Sequence, residues 1–223
     1  MANILAIECT SFEYSIAISN DNKLLIQKIY ENSNPVQYLT IHIQETLHAS
    51  GLQIKDLSAI AINTGPGSYT SLRAGISIVK GIVSGYNLPL IAIEKDFILY
   101  NMISNSRGSV VTVIMARKGQ FLISAFEASG NELFRNQIHL EADKLMVEKF
   151  GSEVQIIGEG LNNLITDREI SDLQRIETRI KASDLLDIAY KQYTEAKFVT
   201  NLELLPKYLF EPMITQAKKR LQY

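Results

Sequence analysis

The sequence predicts an α/β fold made of two similar units, each a mixed sheet flanked by helices. Three observations predict it. The order strand, strand, strand, helix, strand, helix reads clearly in the first half and again, more loosely, in the second. A Gly-Pro-Gly turn couples a strand-length apolar run to a helix, which is how a sheet layer hands the chain to a helix layer. The composition is that of a globular chain: 223 residues, 46% hydrophobic, net charge −2. That length suffices to bury a sizeable core. The boundary is predicted to separate a first unit at 1–105 from a second at 106–223.

Ile4–Cys9, Tyr14–Ser19 and Leu24–Tyr30 read as strands, the last two joined by a hairpin turn at Asn20–Asp21–Asn22–Lys23. A helix follows. Asn34 caps it, Pro35 takes its first position, Val36, Leu39, Ile43 and Leu47 form its apolar stripe, and Gly51 ends it. Ala59–Asn63 is the next strand, followed by the turn Gly65–Pro66–Gly67–Ser68 and a helix over Thr70–Gly85 that Ser68 or Thr70 can cap. A helix near Glu94–Ser104 links the halves. In the second half Ser109–Ala116, Gln120–Glu127 and Glu132–His139 read as strands, Glu141–Phe150 as a helix and Val154–Ile157 as a strand. Ser183–Glu195 reads as a helix capped by Ser183. Gly158–Glu159–Gly160 reads as a loop, and 158–181 carries the weakest pattern.

Charge and cysteine usage narrow the function classes. A net charge of −2 gives no global attraction for a polyanion. The single cysteine, Cys9, excludes an internal disulfide framework and fits a reducing compartment; at the end of an apolar strand it reads as a buried, inert thiol. No apolar run reaches spanning length, and the first residues lack the regions of a secretion signal, so the expected location is the cytoplasm, with no membrane partner. The basic run Lys218–Lys219–Arg220 reads as a solvated end.

Ile60–Gly75 is the most specific stretch. Its Gly-Pro-Gly-Ser-Tyr-Thr-Ser-Leu-Arg-Ala-Gly string, followed by Lys80–Gly81, resembles the signature of the TsaB (YeaZ) family of tRNA-modification subunits. Ile4–Ser11 and Leu88–Ile93 resemble the family's opening and its Leu-Pro-Leu-Ile segment; Leu205–Leu209 resembles its tail more loosely. The resemblance is dense over Ile4–Ile93 and thin from there to Leu204. It implies two ribonuclease-H-like units of the sugar kinase, Hsp70 and actin superfamily, in which ATP lies between the halves.

Turns of this kind offer backbone N–H groups to anions, and Glu8, Thr10, Gly65, Gly67 and Ser68 are the nucleotide-proximal candidates. The carboxylates that Mg²⁺ would need are sparse. Glu8 stands where the superfamily's first-half aspartate would be, and Met115 stands where the family often has an aspartate. The expectation is therefore no catalytic residue and no cofactor of its own, ATP and metal belonging to partner subunits. The TsaD family, similar in fold, carries a His-x-x-x-His metal pair on a helix. Here His42 and His48 stand six apart and point differently, and Gln37 replaces a histidine frequent in the family. His139 ends a strand. No histidine reads as a metal ligand.

The helix at 70–85 carries only Arg73 and Lys80 as charges. Ala74, Ser77, Gly81 and Ser84 form a small-residue stripe, Leu72, Ile76, Val79 and Val83 an apolar one, and Gly75, Ile78, Ile82 and Gly85 a third. Tyr38, Ile41 and His48 form a second stripe on the preceding helix. Two readings are open: the helices bury each other, or together they present a face to another subunit. The resemblance implies the second, with Tyr38, Ile41, Ala74, Ser77, Ile78, Gly81, Ser84 and Gly85 at the interface. It implies a scaffold that pairs with a TsaD-like catalytic subunit, pairs with itself when alone, receives a TsaE-like ATPase, and meets tRNA only through the complex. The alternatives are an independent ATP-dependent phosphotransferase of the same fold and a homodimeric interaction module.

Overall fold

The computed structural model describes residues 1–11, 13–31, 33–103, 108–117, 120–139, 154–161 and 174–208. The predicted boundary at 105/106, the helix predicted over 141–150 and the basic run at 218–220 lie outside the described residues.

Two five-stranded sheets share one topology. In the first, β1 (Asn3–Glu8) is central, antiparallel to β2 (Tyr14–Asn20), which pairs antiparallel with β3 (Lys23–Tyr30). On its other side β1 runs parallel to β4 (Ala59–Asn63), and β4 parallel to β5 (Leu90–Ile93). In the second, β6 (Val110–Arg117) is antiparallel to β7 (Gln120–Phe126) and β7 to β8 (Glu132–His139), while β6, β9 (Gln155–Glu159) and β10 (Gln174–Glu177) run parallel. The orders β3-β2-β1-β4-β5 and β8-β7-β6-β9-β10 correspond strand for strand.

Local chemistry explains the elements. Asp21 and Asn22 both take positive φ in the β2–β3 hairpin, the conformation a two-residue primed turn requires. Helix α1 (Pro35–Ala49) starts at Asn34, whose side chain accepts from the Val36 N–H at 3.0 Å, and Gly51, at φ +74°, closes its end. Helix α2 (Tyr69–Tyr86) is capped by Ser68 and ends at Asn87 in the left-handed region. Helix α3 (Lys95–Met102) follows β5, and helix α4 (Leu186–Thr194) lies late in the chain.

Four expectations are corrected. The short runs 90–93 and 174–177 each add a fifth strand that the predicted order lacked. Gly158 and Glu159 close strand β9 rather than forming a loop: a Cβ at Gly158 would collide with the Val113 backbone, so glycine here lets β6 and β9 pair closely. Ser183 does not cap the late helix. Ala182–Leu185 form a 3₁₀ turn in which the Asp184 carboxylate accepts from the Lys181 N–H at 2.8 Å, while the Ser183 N–H donates to Gln27 Oε1 at 2.8 Å. That last bond reaches the first sheet, and α4 packs on the first sheet as well.

Three cores result. α1 and α2 cover one face of the first sheet through Leu39, Ile43, Ile76 and Val79. The inner faces of both sheets, α3, α4 and the 3₁₀ turn share a central core that includes Ile4, Ala61, Ile98, Ile114, Leu185 and Leu186. Val111, Ile123 and Ile156 form a smaller core on the outer face of the second sheet.

The glycines of α2 divide by environment. A Cβ at Gly75 would collide with the buried Cys9 Sγ, whereas a Cβ at Gly81 meets nothing. Gly75→Ala is expected to destabilise the fold by about 1–3 kcal/mol through overpacking, and Cys9→Ala in the same chain to recover most of it. Gly81→Ala is expected to stabilise it by about 0.5–1 kcal/mol through helix propensity. Denaturant unfolding of the three variants beside the parent checks the set.

Candidate functional site

Two places stand out: the buried polar cluster where the two halves meet, and the exposed outer face of α1 and α2.

In the cluster, the Glu8 carboxylate is 3% exposed at the end of β1. Its Oε1 accepts from the Thr10 N–H at 2.8 Å and from the Thr10 hydroxyl at 2.5 Å; its Oε2 accepts from the Asn63 amide. Asn63 Oδ1 in turn accepts from the Gly65 N–H at 2.9 Å. The Ser68 N–H donates to the Thr10 carbonyl at 2.7 Å, and a Cβ at Gly67 would collide with that carbonyl. Thus the turn following β4 lies directly against Thr10. The Gly65–Pro66 bond is cis, and Gly65 has φ +100°.

Lys95 closes the cluster from the α3 side. It is 4% exposed. Its ammonium donates to Thr10 Oγ1 at 3.3 Å and to Glu159 Oε2 at 2.6 Å, and its backbone N–H donates to the Gly65 carbonyl at 2.8 Å. Glu159 Oε1 also accepts from the Ile180 N–H at 3.4 Å. A second buried carboxylate, Asp96, takes a forked pair of bonds from Arg135 at 2.7 and 2.5 Å and one from the Ser124 hydroxyl at 2.9 Å, tying α3 to the second sheet.

Burial sets the titration of the site. Desolvation pushes the Glu8 carboxyl above its usual range, against the pull of the Lys95 charge and the hydrogen bonds from Thr10 and Asn63. Burial, reinforced by the negative charge of Glu8, pushes the Cys9 thiol far up, so it is a poor nucleophile. Met115 holds on β6 the place that Glu8 holds on β1: each follows the last residue paired with the parallel neighbour, Ile7 with Ile62 and Ile114 with Glu159. Among the described residues no group of three His, Cys, Asp or Glu side chains could hold a metal ion.

Five predicted residues, Glu8, Thr10, Gly65, Gly67 and Ser68, therefore come together. Asn63, Lys95 and Glu159 complete the cluster and were missed. The available signal was the charged triplet Glu94–Lys95–Asp96 directly after an apolar strand.

The outer face of the two helices is open. Ser77, Gly81, Ser84 and Gly85 are exposed, Ala74 and Ile78 half-buried, and Tyr38 and Ile41 are 45% and 51% exposed. A Cβ at Gly81 or Gly85 meets no neighbour. The Asn201 amide bonds to Ser84 Oγ at 2.5 Å, flanking the small stripe. The helices do touch each other along their inner flanks, yet that contact leaves this stripe uncovered. His42 stacks on Tyr30 with centroids 3.7 Å apart and meets the Tyr14 hydroxyl at 2.6 Å, and burial holds its imidazole below the usual range. His48 is exposed, so the two histidines do not converge, and Gln37 is exposed. No helix among the described residues is long and apolar enough to cross a membrane.

Comparison with known proteins follows this geometry. Residues 33–165 match the family model described as TsaD, tRNA N6-adenosine threonylcarbamoyltransferase. The tRNA threonylcarbamoyladenosine biosynthesis protein TsaB of Escherichia coli (strain K12) is 25% identical over 216 residues, spanning 92% of this chain and 94% of that protein. The structure of YeaZ from Pseudomonas aeruginosa aligns with a TM-score of 0.75 at 19% identity, over 93% of this chain and 100% of that one. An activator of 2-hydroxyisocaproyl-CoA dehydratase from Clostridium difficile, solved with ADPNP, aligns at 0.52 and 8% identity, over 87% and 97%. These structures share this fold of two like-ordered mixed sheets with flanking helices.

The raised Glu8 carboxyl gives a signed pH dependence. A carboxyl that holds its proton more tightly when folded stabilises the fold fully below its unfolded value. That contribution is lost as pH rises through the folded one. Glu8→Gln removes the titration, so its stability relative to the parent is expected to improve as pH rises above the ordinary carboxylate value of about 4. Urea unfolding at each pH checks it, and a difference independent of pH refutes the assignment.

Proposed function

Since the chain belongs to the TsaB (YeaZ) members of this family, which serve tRNA threonylcarbamoyladenosine biosynthesis, we propose that it is a non-catalytic scaffold that activates a TsaD-like subunit by pairing with it. The first unit, 1–105, carries the pairing face, made of Tyr38, Ile41, Ala74, Ser77, Ile78, Gly81, Ser84 and Gly85. The TsaD-like subunit transfers the threonylcarbamoyl group to the adenosine beside the tRNA anticodon. A TsaE-like ATPase docks on the pair, and this chain meets tRNA through the complex in the cytoplasm.

The observation that carries this reading is the exposed small stripe of α2. Glycine in a helix costs about 0.5–1 kcal/mol relative to alanine. At Gly75 the close approach of Cys9 accounts for that cost, but at Gly81 and Gly85 nothing among the described residues does. A second helix approaching closely would account for both. An isologous contact of the same face with a second copy is the expected state of the chain when alone.

The polar cluster supports assigning nucleotide and metal to the partners. Glu8 is committed to Thr10 and Asn63, Glu159 to Lys95, and position 115 offers a thioether where Mg²⁺ would need a hard oxygen. That donor set does not fit a magnesium nucleotide, and an independent phosphotransferase would need one.

The test pairs the chain with the TsaD-like protein of the same genome. Ala74→Glu with Gly81→Glu is expected to weaken pairing about 100-fold or more, the cost of burying unpaired charge in an interface. Its unfolding midpoint is expected to stay within about 3 °C of the parent, because Gly81 is exposed and Ala74 only half-buried. Pairing at native affinity would sink the assigned face. A parent chain that forms only homodimers would favour a separate interaction module.

A further inference from the structure

Beside the small stripe, between the later turns of α1, the 3₁₀ turn Ile54–Asp56 and the last turns of α2, lies a groove of about 540 Å³. Its floor is apolar, built from Ile43, Leu47, Ile54 and Ile82, and Tyr86, 53% exposed, stands at one wall. The basic side chains of its lining are His48 and Lys55; no Asp or Glu among the described residues lines it. The nearest acids in sequence, Glu45 and Asp56, are not among its lining residues. Asp56 accepts from the Gln53 N–H at 2.8 Å, and the Glu45 charge acts on Tyr30 and His42, on the β3 side of α1.

We propose that this groove is the anchor pocket of the pairing face. It receives an aromatic or branched apolar side chain from a helix of the TsaD-like partner, and that helix carries a carboxylate within a turn of the anchor. The proposal rests on the pairing reading of α1 and α2 and names what the partner must present there. Continuity is the first support. Ile78, Ile82 and Gly85 lie on one flank of α2, so a helix seated along Gly81 and Gly85 reaches the groove without leaving the surface. Size is the second, since the volume falls within the range of about 300–1,000 Å³ of pockets that hold a bound group. Charge is the third. With Lys55 and His48 as basic lining groups and no acid among the described residues there, a carboxylate beside the anchor meets complementary charge at the rim, where charge sets encounter rate and register. Apolar anchors in such pockets carry a large share of binding energy.

The experiment measures affinity between the intact chain and the intact TsaD-like protein at low and high salt. Tyr86→Ala is expected to weaken pairing about tenfold or more. The double reversal His48→Glu, Lys55→Glu is expected to weaken it similarly and to remove most of the salt dependence. Lys23→Glu, exposed on β3 away from the groove, is the charge control and is expected to change affinity less than about twofold. These positions are exposed, so folding survives substitution. If the parent pair forms and Ala74→Glu with Gly81→Glu breaks it, while the groove variants pair normally, the anchor pocket is refuted and the pairing reading stands. If the groove variants disrupt only self-association, the occupant is a second copy and the proposal is overturned. If no pair forms with the parent chain, both fall.

Discussion

A buried carboxylate at the end of the central strand organises the first half of this molecule. Left unpaired, a charge at the exposure of Glu8 would cost several kcal/mol. Each group that relieves that cost belongs to a different segment. Thr10 fixes the chain leaving β1, and Asn63 fixes the end of β4 and then holds the Gly65 N–H. Lys95 brings the start of α3 to the same point and reaches across to Glu159 on β9. Because the Thr10 carbonyl also receives the Ser68 N–H, the first residue before α2 is positioned by the same cluster. The direction of α2, and hence which of its sides faces outward, follows from how one charge is satisfied.

The same cluster bears on what the fold is used for. The resemblance in sequence implies a fold that can hold ATP between its halves, a use that would need a free carboxylate for a hard cation. Here the two carboxylates near the junction are engaged, one by short-range neutral donors and the other by a buried ammonium. An ion pair of this kind contributes little net stability, since desolvation offsets most of its attraction. What it contributes is geometric: Lys95 ties together three segments far apart in sequence. Loss of Glu159 would leave the buried Lys95 ammonium without its ion-pair partner.

How much of this was legible in the sequence follows from the range of the interactions. The strands, the hairpin turn at 20–23, the Asn34 and Ser68 caps and the Gly51 stop were readable because each depends on residues within a few positions. Strand β5 is only four residues long, and β10 lay in the stretch with the weakest pattern, so neither was assigned. The Ser183 cap was misread because an acid one residue further on, Asp184, reaches back to form its own turn. Nothing local tells that α4 crosses to the first sheet, a placement sealed by the Ala182 N–H on Ser15 Oγ at 2.8 Å and the Ser183 N–H on Gln27. In the cluster, Glu8 and the Gly-Pro-Gly turn were visible as a motif. Lys95 and Glu159 were not, since a buried lysine and a solvated one look alike until topology brings strand ends together.

The glycines of α2 show how one residue type serves opposite ends of the same helix. Gly75 sits where β1 gives way to its polar turn, and its missing side chain is filled by Cys9. That contact draws α2 onto the sheet and turns Leu72, Ile76, Val79 and Val83 into the core. On the far side the same helix shows Ser77, Gly81, Ser84 and Gly85 to solvent, and at both glycines a Cβ would meet nothing among the described residues. Packing against the sheet therefore explains one side fully and the other not at all. A chain selected only to fold would gain from alanine at both exposed glycines. Keeping them is sensible when the backbone of α2 must itself be approached, and the polar cluster holds that backbone in the fixed orientation such an approach requires.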